Sequence, residues 1–412
     1  MIVTLCVFRD VAAPTIDHNE FGWEMGWTAR SIVLGHGFGS PFLPWTGPTA
    51  LVPPLYPYLL ALIFRLLGLY TAKAALVTLS LNSLFSALTC LPIYFIAEHT
   101  LGRRAAKLAG WAWVVYPFGI YFSGGIVWDY ALTALLFCTC FWAAQRLHLH
   151  SRLIVWAGFG VLFGITALSN PSIVVTLPFL LLIALFKVRQ VDGRWLRNGL
   201  VTLLAFIAVL APWTIRNYRA MHAVFPVRDG FWLEFYAGNS GDTFESNPAW
   251  AHPASNPAEM QKYQSMGEIA YLAEKHTLAL DFVKHHPLFF AEVSARRVIR
   301  FWTGFWSFNR TYLHKEPFDI PNVFFCTALT LLLLRGITRW WRADRVVALR
   351  YLALLAFFPV TYYLTHSSMD YRQPIEPEII ILVTVGIFGL DEAEEAAEES
   401  AQSLSTPEMA EV

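Results

Sequence analysis

Residues 73–97 read KAALVTLSLNSLFSALTCLPIYFIA, an apolar stretch whose only charged residue is the lysine at its start. An α-helix needs roughly 20 such residues to cross a hydrocarbon core of about 30 Å. Comparable stretches recur along the chain at 107–122, 125–144, 153–167, 173–186, 199–212, 324–334, 346–364 and 379–390. The pattern predicts an all-α, polytopic membrane protein.

The composition agrees with this prediction. The chain is 56% hydrophobic and 15% charged, which excludes an ordinary soluble domain. Its net charge of zero combines unlike regions, because no Lys or Arg follows Arg372 while residues 391–412 are rich in glutamate. That tail is predicted to be disordered, acidic and cytoplasmic. No phosphate-binding loop or dinucleotide fingerprint is evident, and no nucleic-acid partner is expected.

The connections between the apolar stretches alternate in charge. One set is rich in Lys and Arg, which predicts a cytoplasmic location, and it comprises residues 103–107, 146–152, 187–197 and 335–350. The other set is predicted to be external, and it comprises residues 10–71, 116–129, 170–172, 216–322 and 365–378. The alternation requires that residues 51–69, which contain Pro53, Pro54 and Pro57, lie in the interface or re-enter rather than cross.

The external set collects acids and guanidinium groups. An ionisable residue at the edge of the hydrocarbon, such as Asp129 beside Trp128, is a functional candidate. Arginine binds phosphate in a bidentate way, whereas a carboxylate can take a proton from an attacking hydroxyl. The combination suits a phosphate-bearing substrate that reacts with a hydroxyl. The loop histidines lack a metal-ligand spacing and are predicted to be solvated; they are His252, His276, His285, His286 and His314.

Four external segments resemble a known family. They are EFGWEMGWTARSIVLGHGF at 20–38, PTALVPPLYP at 48–57, APWTIRNY at 211–218 and DYRQPIEP at 370–377. Their order and spacing resemble the polyprenyl-phosphate-sugar-dependent glycosyltransferases of the GT-C superfamily. That group includes protein O-mannosyltransferases and lipid A aminoarabinose transferases.

The resemblance implies a GT-C-like helix bundle, with amphipathic interfacial helices in the first external loop and a larger external loop unit. It further implies sugar transfer with inversion from a polyprenyl-phosphate donor to an acceptor hydroxyl. Glu24 is assigned as the catalytic acid of the first loop, with Glu20 and Asp17 as alternatives, and Asp129 as the second acid. Family members often carry an adjacent Asp-Glu pair at this point, whereas here the acids are dispersed.

The remaining roles concern the donor and a cation. Arg216, Arg372 and His366 are predicted to bind the donor phosphate. Carboxylate and water ligands would suit Mg²⁺ or Mn²⁺, although the sequence leaves metal dependence undecided. The acceptor is an unidentified lipid, glycan or protein. The expected location is a bacterial inner membrane, with the active site on the periplasmic side.

The sequence also defines regions and alternatives. It divides into an N-terminal membrane module at 1–215 with an acidic external loop at 10–71, an external unit at 216–322, transmembrane helices at 323–390 and the tail at 391–412. A transporter or lipid flippase is the alternative from another class, but such proteins usually show internal repeats and charges near the bilayer midplane. A non-catalytic assembly subunit is the third interpretation.

Overall fold

The computed structural model describes residues 21–42, 45–189, 193–240, 249–304 and 319–390. Across these ranges the chain forms α-helices and short 3₁₀ helices, together with an isolated antiparallel bridge between Gly39 and Pro48. The predicted all-α fold is confirmed. Glu20, Asp17 and the tail at 391–412 lie outside the described residues.

The first half of the bundle begins with two short helices and continues with long ones. The helices are α1 (Trp23–Val33), α2 (Leu55–Leu67), α3 (Ala72–Val114), α4 (Pro117–Gly125), α5 (Tyr130–Arg146), α6 (Leu153–Ser169), α7 (Leu177–Arg189) and α8 (Trp195–Met221). Two 3₁₀ helices, Leu147–Leu149 and Pro171–Thr176, connect members of this set.

The second half begins with the external segment and returns to the bundle. Its helices are α9 (Phe231–Asn239), α10 (Pro257–Met266), α11 (Glu268–His285), α12 (Pro287–Thr303), α13 (Asp319–Ala343), α14 (Arg345–Phe357), α15 (Val360–Leu364) and α16 (Glu376–Phe388). The 3₁₀ helices Ala249–Ala251 and Asp370–Ile375 precede α10 and α16.

Five segments among the described residues are long and apolar enough to cross a membrane. They are Ala72–Val114, Pro171–Arg189, Trp195–Met221, Ile320–Ala343 and Arg345–Leu364. The other predicted spans form shorter helices, namely α5, α6 and α16. The helix α2 is only 13 residues long, or about 20 Å, which is shorter than the hydrocarbon core and consistent with the prediction that 51–69 does not cross.

The apolar stretches 73–97 and 107–122 lie in different helices, as the sequence predicts, and the second stretch continues into α4. The range given for α3 covers two helices that meet at a kink, and its start is capped by the Thr71 hydroxyl accepting from the Ala74 N–H at 3.1 Å. Gly102, with φ 82° and ψ 172°, breaks the helical backbone at a single residue between them. The second part ends at Val114, because Tyr116 is extended before Pro117, as residues before proline tend to be.

Close helix contacts hold the centre of the bundle together. Helix α6 packs along α8, and a Cβ added at Gly160 would lie 2.2 Å from the Thr202 carbonyl oxygen. Any side chain at position 160 would therefore clash with the backbone of α8. Helix α13 packs on α16 in the same way, since a Cβ at Gly386 would lie 2.1 Å from the Leu332 carbonyl oxygen.

The external segment is attached to the first loop by polar contacts. The Glu268 carboxylate accepts from the Thr49 hydroxyl at 2.5 Å and from the Ala50 N–H at 2.7 Å. The Asp229 N–H donates to the Ala50 carbonyl at 3.0 Å. These bonds place α9–α12 beside the start of α2, next to the cavity described below.

Candidate active site

A cavity of about 400 Å³ lies where the segments predicted to be external meet. Each of the five predicted external segments contributes to its wall, and representative residues are Glu24, Asp129, Ser172, Arg228 and His366. Charge alternation alone had assigned these segments to one side of the membrane. Their convergence on one cavity supports that assignment.

Glu24 lies in the first turn of α1 and faces a histidine from the external segment. Its Oε1 lies 3.1 Å from His252 Nε2. The His252 ring packs against Trp23 and Phe42, with centroid separations of 4.9 and 5.3 Å. In the neutral ring, Nδ1 accepts from the Ala254 N–H at 3.3 Å, so that the Nε2 atom carries the proton and donates to Glu24.

The burial of His252 contradicts the prediction that the loop histidines are solvated. Burial lowers the pKa of His252, but the hydrogen bond and negative charge of Glu24 outweigh it and raise the pKa above its usual value. The sequence carried no signal for this contact, because the two residues are far apart in the chain and only the folded external segment brings them together.

Asp129 is 2% exposed and lies immediately before α5. Its Oδ2 accepts from the Thr133 hydroxyl at 2.8 Å, and this hydroxyl lies 2.7 Å from the Ser169 hydroxyl. The preceding loop is held by Asn82, whose amide donates to the Ile126 carbonyl at 3.2 Å. Asp129 is thus positioned rigidly in the wall of the cavity, as its assignment as a functional candidate requires.

Further polar side chains that line the cavity form hydrogen bonds with one another. The Tyr130 hydroxyl donates to the Asp370 carboxylate. His366 Nε2 lies 2.5 Å from the Tyr371 hydroxyl, and its Nδ1 lies 3.6 Å from Glu234 Oε2. Burial lowers the pKa of His366, which favours the neutral ring. Glu234 was not among the residues singled out from the sequence.

Arg228 is the only Lys or Arg that lines the cavity in the described part of the chain. Its side chain is 32% exposed, and its Nη2 lies 3.6 Å from Glu234 Oε1. Arg228 immediately precedes Asp229, the residue whose backbone joins the external segment to the first loop. The sequence-based assignment missed it, because it belongs to none of the four segments that carry the family resemblance.

Arg216 does not line this cavity. Its guanidinium donates to the carbonyls of Thr49 and Phe38 and to the Asn217 side chain, and lies 4.9 Å from the centroid of the Trp213 ring. These contacts hold α8 against the first external loop. Phosphate binding by Arg216 stays a prediction, and in this structure its donors serve the backbone.

Arg372 is also removed from the cavity. It is buried, forms an ion pair with Glu376 and donates to the Trp302 carbonyl. His366 does line the cavity, but as a neutral partner of Tyr371 rather than as a cation. The roles of Arg372 and His366 toward a phosphate therefore stay predictions.

The described residues contain no group of three or more His, Cys, Asp or Glu side chains arranged to hold a metal ion. The cavity carboxylates Glu24 and Asp129 each have a hydrogen-bonding partner from the protein. The described residues therefore offer no ready-made site for Mg²⁺ or Mn²⁺, whose involvement the sequence leaves undecided.

Part of the sequence, and the fold, are similar to those of known proteins. Residues 51–215 match the family described as dolichyl-phosphate-mannose-protein mannosyltransferase. No curated protein matches the sequence. The structure aligns with the oligosaccharyltransferase of Archaeoglobus fulgidus in its apo form at a TM-score of 0.51, with 13% identity, over 97% of this chain and 51% of that one.

The chain resembles GT-C glycosyltransferases in both sequence and fold. It spans about half the length of the archaeal oligosaccharyltransferase that it matches. ArnT of Cupriavidus metallidurans bound to undecaprenyl phosphate also aligns, with 15% identity, over 99% of this chain and 81% of that one. The TM-score of that alignment is 0.38.

Proposed function

We propose that this protein is a membrane glycosyltransferase of the GT-C type that transfers a sugar from a polyprenyl-phosphate donor to an acceptor hydroxyl, with inversion. The observation that carries the proposal is the cavity in which Glu24, Asp129 and Arg228 come together at one end of the bundle. The match to a family whose description names a dolichyl-phosphate sugar supports the class of donor.

The reaction assigns a distinct task to each group. The acceptor oxygen attacks the anomeric carbon of the sugar, the bond from this carbon to the phosphate oxygen breaks, and polyprenyl phosphate leaves with the bonding electrons. The acceptor hydroxyl loses its proton to Glu24. Attack from the face opposite the departing phosphate inverts the anomeric carbon.

His252 orients the proposed base. Its Nε2–H donates to Glu24 Oε1 at 3.1 Å and holds the carboxylate that takes the proton. A hydrogen bond donated to a carboxylate stabilises its charged form, which a base requires. The ring is held between Trp23 and Phe42, and its Nδ1 accepts from Ala254, so the direction of the Nε2–H bond is fixed.

Arg228 and Asp129 bind the two sides of the donor. The phosphate gains negative charge as it leaves, and a guanidinium stabilises that charge through charge-assisted hydrogen bonds. Arg228 replaces Arg216 and Arg372 in this role, because it faces the cavity whereas they contact backbone carbonyls or Glu376. Asp129, already held by Thr133, accepts a hydrogen bond from a sugar hydroxyl.

The proposed location is a bacterial inner membrane, with the cavity on the periplasmic side. The charge alternation and the convergence of the five predicted external segments support this orientation. Cysteine substitutions at Ser368 and Arg104 test it in intact cells with a membrane-impermeant reagent. We expect labelling at 368 and none at 104. The reverse result would show that the cavity faces the cytoplasm.

Substitution of the base tests the function itself. Glu24→Gln preserves size and hydrogen bonding but removes the negative charge, so turnover is expected to fall about 10²–10⁴-fold. The measurement is transfer of labelled sugar from a panel of polyprenyl-phosphate sugars to membrane acceptors by purified protein. Glu292→Gln, on an exposed face of α12, is the matched control.

Two results would contradict this proposal. Normal sugar transfer by correctly inserted Glu24→Gln protein would show that Glu24 is not the base and would leave Glu20 and Asp17 as the candidates. Absence of transfer by the wild type from every donor, together with movement of polyprenyl-phosphate sugars across vesicle membranes, would favour the flippase alternative.

A further inference from the structure

The end of the bundle opposite the cavity gathers positive charge from separate helices. Helix α5 begins beside the cavity residue Asp129 and ends at Arg146, about 25 Å away. The 3₁₀ helix that leads into α7 begins at the cavity, and α7 carries Lys187 near its other end. The segment Arg345–Leu364 runs in the opposite sense and carries Arg350 near its start.

Aromatic contacts show that these helix ends lie side by side. Phe141 of α5 contacts Tyr351 of α14, with ring centroids 5.0 Å apart. Phe179 at the start of α7 stacks on Phe357 at the end of α14 at 3.5 Å, and because the two helices run in opposite senses, Lys187 lies level with the start of α14. Because Tyr351 follows Arg350 directly and Phe141 lies one turn before Gln145, the arginine and the end of α5 are neighbours.

Several nitrogen donors at this end are buried and lack a hydrogen-bond partner among the described residues. Arg350 is 5% exposed, and its Nη2 is one of them. Gln145 is 2% exposed, and its Nε2 is another. The Nε of Arg146 completes the group. A buried donor without a partner is costly, which makes such a set a site for an acceptor-bearing ligand.

Among the described residues, the positive charge in this region is only partly offset, by Asp344. No ion pair joins Arg146, Lys187 or Arg350 to a carboxylate of those ranges. The negative charge of Asp344 favours the charged forms of Lys187 and Arg350. Its Oδ1 also caps α14 by accepting from the N–H groups of Val346 and Val347 at 2.7 and 3.2 Å. Burial lowers the pKa of His148, and the charges of Lys187 and Arg350 lower it further, while a backbone hydrogen bond to Gln145 opposes them.

We propose that Gln145, Arg146, His148, Lys187 and Arg350, here called the cation cluster, bind the phosphate group of an anionic phospholipid in the leaflet opposite the cavity. The required ligand is an oxyanion with several acceptor oxygens, which a phosphate diester provides. A lipid is favoured over free phosphate because the α7 surface beside Lys187 presents exposed apolar side chains, Leu182 and Phe186, along which acyl chains can lie.

The experiment compares purified full-length protein in nanodiscs of phosphatidylcholine with protein in nanodiscs that also contain phosphatidylglycerol. We expect the anionic lipid to raise the Tm of the wild type, because a ligand that binds only the folded state stabilises it. Native mass spectrometry should show phosphatidylglycerol retained about tenfold less by Arg350→Gln, which removes one charge-assisted contact.

Matched variants keep the test interpretable. Lys187→Gln, at a partly exposed position, should weaken retention in the same direction if Arg350→Gln fails to fold. Arg103→Gln is the control, because Arg103 is 85% exposed, pairs with Glu98 and carries the same charge on the same predicted side. The control should retain phosphatidylglycerol as the wild type does.

Three outcomes would overturn the proposal. Equal retention of phosphatidylcholine and phosphatidylglycerol would show that no anion is recognised. Loss of retention in Arg103→Gln as large as in Lys187→Gln would indicate a diffuse surface potential. Inorganic phosphate that reproduces the full Tm increase in phosphatidylcholine alone would show that the cluster binds free phosphate and not a lipid headgroup.

Discussion

The two ends of α5 lie in regions of different chemistry. At its start, Asp129 and the neighbouring cavity combine carboxylates with histidines, and a single arginine lines that cavity among the described residues. At its end, Arg146 belongs to the cation cluster, where the nearest acid is used as a helix cap. The cavity groups form pairs that can exchange protons, whereas the arginines of the cluster keep their charge at all physiological pH values. The first arrangement suits catalysis and the second suits binding of a permanent anion.

The largest effect that would sharpen this contrast concerns the one cavity arginine. Arg228→Gln should raise the donor KM about 10–100-fold, because a charge-assisted hydrogen bond contributes roughly 1.5–3 kcal/mol. Arg219→Gln, an exposed arginine at the end of α8, is the matched control and should leave the KM unchanged. Steady-state kinetics with varied donor would measure both.

A comparison with Arg216 makes the result decisive. Arg216→Gln removes bonds to the Thr49 and Phe38 carbonyls, so it should lower the Tm and leave the donor KM of the surviving folded enzyme near the wild-type value. If Arg216→Gln raises the donor KM and Arg228→Gln does not, the sequence-based assignment of Arg216 to the donor phosphate is right. The cavity arginine would then have no role in donor binding.

The second effect concerns the pairing of Glu24 with His252. His252→Phe keeps a ring against Trp23 and Phe42 but removes the Nε2–H donor. We expect kcat to fall about tenfold with little change in donor KM, since a net hydrogen bond contributes roughly 1 kcal/mol and more when charged. The acidic limb of the pH–rate profile should move to higher pH, because the carboxylate loses a group that stabilises its ionised form.

His252→Gln and His276→Phe separate positioning from packing. The glutamine retains a donor and should recover part of the activity. His276 also stacks on an aromatic ring, at 3.8 Å from Trp232, but does not line the cavity, so its replacement should leave the pH profile unchanged. A His252→Phe enzyme with lower yield and an unshifted profile would reduce His252 to a packing residue.

Titration of His252 provides a readout that does not depend on activity. Because Glu24 raises the pKa of His252, Glu24→Gln should lower it, as measured by NMR of histidine-labelled protein. The raised pKa of His252 also determines how the stability of the folded protein depends on pH. The contribution of the pair is fully present below the usual histidine pKa of about 6.5 and is lost as the pH rises through the raised value.

The two ends also differ in how far the sequence predicts them. Basic helix ends such as Arg146 and Arg350 follow from charge alternation, because a single local pattern reports the side of the membrane. The cavity required contacts between residues far apart in the chain, such as Glu24 with His252, and no local pattern contains them. Asp129 was found because an acid at a helix mouth is unusual, whereas Arg228 was missed because a loop arginine is not.

The fold shows the same division. Helical character and the short length of α2 could be predicted from apolar runs and prolines. The abrupt junction within α3 could not, because a single residue, Gly102, turns the backbone where the basic residues 103–107 indicated a loop. A glycine tolerates this positive φ without a side-chain penalty, so a break of one residue leaves almost no trace in hydropathy.

The smallest expected effect tests the attachment of the external segment to the first loop. Burial and the nearby charge of Glu268 raise the pKa of Asp229 to about 9, and the pKa of Glu268 is raised as well, chiefly by burial. Asp229 is therefore protonated in the folded protein at neutral pH but ionised when unfolded. The folded state binds more protons, so stability should fall as the pH rises from about 4 through 9.

Asp229→Asn mimics the protonated carboxyl and should raise the Tm at pH 9 by about 2–4 °C, with little change at pH 5. Asp281→Asn, 70% exposed on α11, is the control. A Tm gain that is equal at both pH values would mean that the charge of Asp229 is not what the folded state excludes, and that the cavity wall is held by Glu268 alone.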